Sequence, residues 1–154
     1  MARDPKRLLL LLLKTATKKK VSLSIAQIQK IMFLLVKEKG IDIGLEFKPF
    51  IFGPFSEELQ NMVYDLVEEG FATFTEKKVR DPLSGEIIAR PKYYRLKRGV
   101  KVEPTDDEKE IVEFFQYWAE KPQNELLKYV HEKFPEYSKY ELVRKHLLSI
   151  LLKE

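Results

Sequence analysis

The chain contains no cysteine, which excludes a disulfide scaffold, a cysteine-ligated zinc site and a cysteine nucleophile. Histidine occurs only as His131 and His146, fifteen residues apart and on different predicted helices. Neither has a second histidine at ligand spacing, so both read as surface or partly packed side chains rather than metal ligands. There is no phosphate-binding glycine-rich loop, no nucleophile elbow and no HExxH motif. Asp106-Asp107-Glu108 could hold a cation, but its place at a helix start accounts for it without one. Catalytic, metal and cofactor residues are therefore expected to be none, and the protein is expected not to be an enzyme. Long apolar runs are missing too. Leu8 to Leu13 is six leucines between Arg7 and Lys14, too short to span a membrane and without the cleavage site of a secretory signal. It predicts an amphipathic helix buried on most sides, in a cytoplasmic protein without membrane contact. Asparagine and glutamine total seven and 34% of residues are charged, a pattern shared with proteins of thermophiles.

At 154 residues the chain is one ordinary domain, or a domain with an extension, large enough to bury a core without staples. The net charge of +4 is unevenly spread. Residues 1–40 carry ten basic residues against two acidic, residues 41–103 ten against eleven, and residues 104–154 eight against eleven. A basic N-terminal part and an acidic C-terminal part suggest two surfaces with different partners; the plain alternative is solvated helix faces.

Asp4 is a good N-cap and Pro5 suits the first helical position, so a first helix runs from Asp4 to about Thr17, ending in Lys18, Lys19 and Lys20. Val21-Ser22-Leu23 reads as a short extended piece. Ser24 caps a second helix to Lys39, with Ile25, Ile28, Met32 and Leu35 in one stripe widened by Ile31, Leu34 and Val36. Gly40 closes it. Ile41 to Phe52 is a partly extended apolar connection ended by Gly53-Pro54. The third helix, Ser56 to Glu69, repeats Leu59, Met62, Val63, Leu66 and Val67 at core spacing. Phe71 to Val79 and Lys92 to Lys97 read as strands around turn signals at Asp81-Pro82 and Ser84-Gly85. Helix, short strand, helix, helix, strand, wing, strand is the order of a winged helix. Thr105 with Glu108, and Ser138 with Glu141, form capping boxes in a second, wholly helical segment broken at Pro122 and Pro135. The expected fold is thus mainly α with a small β-hairpin: a winged helix over 1–103 and a three-helix C-terminal extension over 104–154, packed on it as one unit.

Residues 23–98 resemble the YwgA-like and Panacea (SocA-like antitoxin) families of small prokaryotic proteins. The resemblance lies in the helix IQKIMFLL, in FKPFIFGPFSEEL and in LVEEGF followed by a hairpin; the later YVHEKFPEYS is also similar to YwgA-like proteins. The aromatic-x-x-Gly-Pro unit has Phe50 where those families often have Tyr, and the YwgA-like branch is the closer match. The resemblance implies a winged-helix-like fold and a regulatory or antitoxin-like role, and carries over no catalytic residue.

Two candidate surfaces follow from the residues themselves. The wing, Lys77 to Lys101, holds nine basic residues against Asp81 and Glu86. Lys77, Lys78, Arg80, Arg90, Lys92, Tyr93, Arg95, Lys97 and Arg98 are its candidate nucleic-acid contacts, since lysine and arginine pair with phosphate and tyrosine bonds or stacks. The alternative is a solvated hairpin whose lysines discourage edge-to-edge association. The third helix carries Glu57, Glu58, Asp65, Glu68 and Glu69 and no basic residue, the opposite of what a helix near phosphate needs. Gln60 and Asn61 could pair with adenine, but the surrounding charge favours a protein partner, with Glu57, Gln60, Asn61, Tyr64 and Glu68 as the contact set. Gly53-Pro54 reads as a chain reversal that packs a helix rather than a ligand cradle. Phe47, Phe50, Phe52 and Phe55 read mainly as core, with the option of an exposed anchor. Leu147, Leu148, Leu151 and Leu152 belong to a terminal helix apolar on several sides, which predicts a homodimer interface. The leading expectation is a non-enzymatic regulatory module acting by protein–protein contact, antitoxin- or adaptor-like. The alternative is a winged-helix DNA-binding transcriptional regulator contacting phosphates through its basic wing, and the plainest option is a dimeric scaffold with neither activity.

Overall fold

A computed structural model describes residues 2–50 and 53–137. The dimer residues Leu147, Leu148, Leu151 and Leu152, and the Ser138–Glu141 capping box, lie outside the described residues. The described part is mainly helical, with three small antiparallel strand pairs. Helix α1, Pro5–Lys18, starts as its sequence dictates: Asp4 is the N-cap, its carboxylate accepts from the Lys6 N–H, and Pro5 opens the helix. Its leucines are buried, Leu10 alone only partly, because different faces meet different elements. Helix α2, Ile25–Lys39, is held at its start by reciprocal bonds between Ser24 and Gln27, a capping box of the S-x-x-Q kind. It ends at Gly40, whose φ of 63° is the left-handed conformation glycine adopts without strain.

The centre of α2 is buried on every side: Ile28 through Leu35 are eight consecutive buried residues. The apolar stripe read from the sequence accounts for one face. Phe33 lies on another, covered edge-on by Phe47 at 5.6 Å and Phe134 at 5.1 Å, and by Tyr137 at 4.6 Å. Gln29 is the polar exception whose partners are in view. At 2% exposure, its side-chain amide donates to the Ser56 carbonyl at 2.8 Å and accepts from the Ser56 N–H at 2.9 Å. Ser56 in turn caps helix α3, Glu57–Glu68, through its hydroxyl to the Leu59 N–H.

The expectation that Gly53-Pro54 ends the extended stretch and opens the helix is corrected here. Strands β1, Lys48–Phe50, and β2, Gly53–Phe55, form an antiparallel pair ahead of α3. Pro49 and Pro54 stand opposite each other, so the two missing donors fall at one pair, which a two-stranded ribbon tolerates. Gly53 has φ 100°, closed to other residues. Phe50 is correspondingly not core; it is 47% exposed and stacks on Phe55 at 5.1 Å.

The strand expected over Phe71 to Val79 is broken in two. Strand β3, Ala72–Glu76, and strand β4, Val79–Arg80, are followed by β5, Ile87–Ala89, and β6, Lys92–Leu96. β3 pairs with β6 and β4 with β5. The break falls where Pro91 has no N–H to offer; its carbonyl instead accepts from the Lys77 N–H. Before α2, Leu23 forms an isolated antiparallel bridge with Tyr94 of β6, with both backbone bonds made.

The helical segment that follows comprises α4, Lys109–Ala119, and α5, Gln123–Lys133. Part of the opposite charge of the two chain regions pairs within the molecule. Arg3 pairs with Asp107 at 3.3 Å, Arg7 with Glu108 at 2.7 Å, Lys14 with Glu103 at 3.2 Å and Lys19 with Glu120 at 3.1 Å. The Arg7 pair is the least solvated. The guanidinium donates from two nitrogens to the two Glu108 oxygens, and the Glu108 side chain is only 8% exposed. Glu108 also accepts from the Thr105 N–H, completing its cap of the helical start. Two predictions follow from these buried polar contacts. The hydrogen bonds from Arg7 hold the Glu108 carboxyl down at about 2, against an ordinary value of 4.5. A depressed carboxyl stabilises the fold above its unfolded value and loses that contribution as pH falls through the folded one. Unfolding midpoints should therefore drop between about pH 5 and pH 2, and Glu108→Gln should flatten that drop while costing on the order of 2–3 kcal/mol at neutral pH. Gln29→Met should cost about 1–3 kcal/mol in denaturant titration, because the buried Ser56 backbone groups lose their partner at unchanged side-chain volume.

Candidate functional site

The candidate site is a groove of about 930 Å3 between the start of α2, the β1–β2 ribbon, the exposed face of α3 and the first residues of β6. One wall is the ribbon, with Phe50, Gly53, Pro54 and Phe55; the expected chain reversal therefore also lines a cavity. The second is α3, with Glu57, Gln60 and Tyr64, and the third is Arg90, Lys92, Tyr93 and Tyr94. Ser24, Ile25, Ala26 and Gln29 contribute from α2. The arrangement brings together members of two sets that the sequence kept apart: Glu57, Gln60 and Tyr64 from the helix, and Arg90, Lys92 and Tyr93 from the wing. Asn61 and Glu68 are exposed on α3 but do not line the groove.

The helix wall is organised by a 2.9 Å bond from the Gln60 amide to the Tyr64 hydroxyl, one turn apart. All five acidic residues of this region, Glu57, Glu58, Asp65, Glu68 and Glu69, are exposed. Glu69 alone has a cation against it, Lys6 at 2.7 Å, among the described residues.

The wing residues divide by what they already touch. Arg90 pairs with Glu76 at 3.1 Å, and Arg80 donates to the Gly85 carbonyl, bracing the tip turn. Lys77 lies over the Tyr93 ring at 4.8 Å and Lys92 over Phe74 at 4.7 Å. Lys78, Arg95, Lys97 and Arg98 are exposed and make no salt bridge or ring contact among the described residues. The outer hairpin also exposes apolar side chains: Leu83 in the turn at 98%, and Val79 and Ile88 on the strands.

Tyr94, which the sequence offered only as an aromatic beside Tyr93 in the basic wing, lines the groove. Its backbone is locked by the Leu23 bridge, and its ring packs against Phe74 at 5.7 Å. The residue is only 2% exposed, yet its hydroxyl makes no hydrogen bond to any described residue. Burial raises its ionisation above the ordinary phenol value, and the neighbouring Tyr64 acts in the same direction. The available signal was alternation: in Lys92-Tyr93-Tyr94-Arg95-Leu96, Tyr94 shares a face with the apolar Leu96. Gln29 was missed because a glutamine among aliphatic residues on a predicted helix does not announce which backbone it serves.

A second cavity, about 680 Å3, lies between the end of α2, α4 and α5. Glu38, Glu110 and Glu113 line it with Phe114, Tyr117, Trp118 and Tyr129. Two cations contact its aromatic rings: Lys39 lies over Phe114 at 5.9 Å and Lys121 over Tyr117 at 4.8 Å. The Tyr129 hydroxyl donates to Glu38, which pushes that phenol up to about 12. Among the described residues no group of three or more His, Asp or Glu side chains is placed to hold a metal ion. Also among them, no helix is long and apolar enough to cross a membrane. A scan of family models and a search of curated proteins find no match to this chain, so the reading of the groove rests on its own geometry.

Proposed function

We infer that the protein is a non-enzymatic regulatory module that works by holding another protein on the α3 face and its adjoining groove, as an antitoxin or adaptor does. The observation that carries this is the pairing of an aromatic groove with a helix whose exposed charges are all negative. Such a helix repels phosphate but guides and orients a protein. The order of elements supports a winged-helix framework for α1 to β6. The Leu23 bridge to Tyr94 stands where that fold places its first short strand against the last strand of the wing. In that framework α3 occupies the position of a DNA-reading helix and has the wrong charge for the task.

The full-length protein recovered from its native cells should retain its partner after nuclease treatment. Asn61→Lys with Glu68→Lys, both on the exposed face of α3, should lose that partner without changing the unfolding midpoint. A partner released by nuclease would reverse the reading.

One observation favours the second reading, a DNA-binding regulator acting through the wing. A fully exposed Leu83 on a basic hairpin resembles the apolar wedges that minor-groove proteins insert between base steps. Under this reading Lys78, Arg95, Lys97 and Arg98 contact phosphates. Replacing all four with alanine should flatten the slope of log affinity against log salt by up to about one unit per lost contact, equally on all duplex sequences. Gln60→Ala should leave sequence preference unchanged, since the acidic residues around it on α3 keep that helix from phosphate.

A further inference from the structure

We propose that the groove binds an extended segment of the partner protein, with an apolar side chain against the Phe50–Phe55 stack and a main-chain carbonyl on the Tyr94 hydroxyl. This rests on the protein-contact reading above and specifies the chemistry of what is held.

Three independent features converge on it. The first is the unmet bond. A phenol that is 2% exposed, lines a cavity and has no described partner carries the desolvation cost of a buried polar group without its return. Its backbone is held by two bonds to Leu23 at 2.7 and 2.9 Å, and its ring packs on Phe74 at 5.7 Å. A ligand acceptor in the groove would supply that bond, and the commonest acceptor on a polypeptide is its own carbonyl. The second is the exposed aromatic surface. Phe50 stands on Phe55 with ring planes 29° apart and is 47% exposed, an apolar platform at the cavity mouth that repays covering. The third is charge. Arg90 and Lys92 lie on one wall and Glu57 on the other. Arg90 spends one nitrogen on Glu76 and keeps further donors for a ligand. A phosphate-bearing ligand would meet the Glu57 carboxylate in the groove. A polypeptide can present both signs, an acidic residue to Arg90 and Lys92 and a basic one to Glu57. A volume of about 930 Å3 is at the upper end for a small-molecule cleft and suits a few residues of chain.

The test uses a phage-displayed library of random peptides panned against the full-length protein, followed by titration of the winning peptide in synthetic, fluorescent form. The expected winners carry an apolar residue between an acidic and a basic one. Tyr94→Phe should weaken the peptide about tenfold while leaving the unfolding midpoint unchanged or higher, a combination that a purely structural tyrosine would not give. Glu57→Arg should weaken it too, and exchanging the peptide's basic residue for glutamate should restore it. Equal affinity for Tyr94→Phe overturns the proposal, as does a library that yields no peptide sensitive to Phe50→Ala. Displacement of the peptide by single-stranded oligothymidylate, in a Phe50-dependent manner, would assign the groove to nucleic acid instead. If no peptide binds while the nuclease-resistant partner is still lost on Asn61→Lys with Glu68→Lys, protein contact stands and the groove assignment falls. If the partner is released by nuclease, the functional reading itself falls.

Discussion

Eight consecutive residues of α2, from Ile28 to Leu35, are withdrawn from water, and no single neighbour can withdraw them. A helix has a circumference, and an amphipathic stripe covers part of it. Covering the rest takes β2, α5, α4 and α3, and the Phe47, Phe134 and Tyr137 rings around Phe33. The placement of the groove is a by-product of this wrapping. The groove lies where β1–β2, α3 and β6 converge at the beginning of α2. The polar contact that sets α3 against α2 is Gln29 with Ser56, and both groups are buried. A buried amide pair of that kind specifies one position among several that aliphatic packing alone would tolerate.

The electrostatics of α1 act in the same direction. Its cations, spaced along Arg3, Arg7, Lys14 and Lys19, meet carboxylates drawn from Glu103 to Glu120. Most of these pairs are solvated and contribute little individually. The Arg7–Glu108 pair differs because its carboxylate is shielded and bonded by two guanidinium nitrogens and a backbone N–H. It ties the helical segment to the first helix, and the basic charge spent there is unavailable to any polyanion. Among the described residues, Lys78, Arg95, Lys97 and Arg98 of the wing are exposed and outside these pairs.

Much of the fold was legible because it is written in local signals. Asp4-Pro5, Ser24 and Gly40 mark helix ends by mechanisms that involve only neighbouring residues, and the described ends fall where those residues put them. The third helix was legible from its spacing. The β1–β2 ribbon was not, since two prolines and a glycine read as breakers, and only the tolerance of an edge pairing for absent donors makes them strand residues. The division of the wing was equally hidden, because Pro91 acts through a partner strand. For the groove, Tyr64 and Lys92 were visible as exposed polar residues, but their proximity depends on a bridge between Leu23 and Tyr94, seventy-one residues apart. The internal ion pairs of the N-terminal part were hidden for the same reason: a sum over residues carries no information on which carboxylate stands opposite.

The interruption at Pro91 separates the hairpin into an inner and an outer stage. The inner stage, β3 with β6, is anchored to the body through Tyr94 and through the Thr17 hydroxyl, which accepts from the Leu96 N–H. The outer stage, β4 with β5, has a self-contained turn: Asp81 accepts from Leu83 and Ser84 and pairs through its backbone with Glu86 and Gly85. With its own closure and no share in the core, the outer stage is a cartridge. Its length and composition are free to drift, or to be exchanged by an engineer, without disturbing the scaffold that holds the inner one.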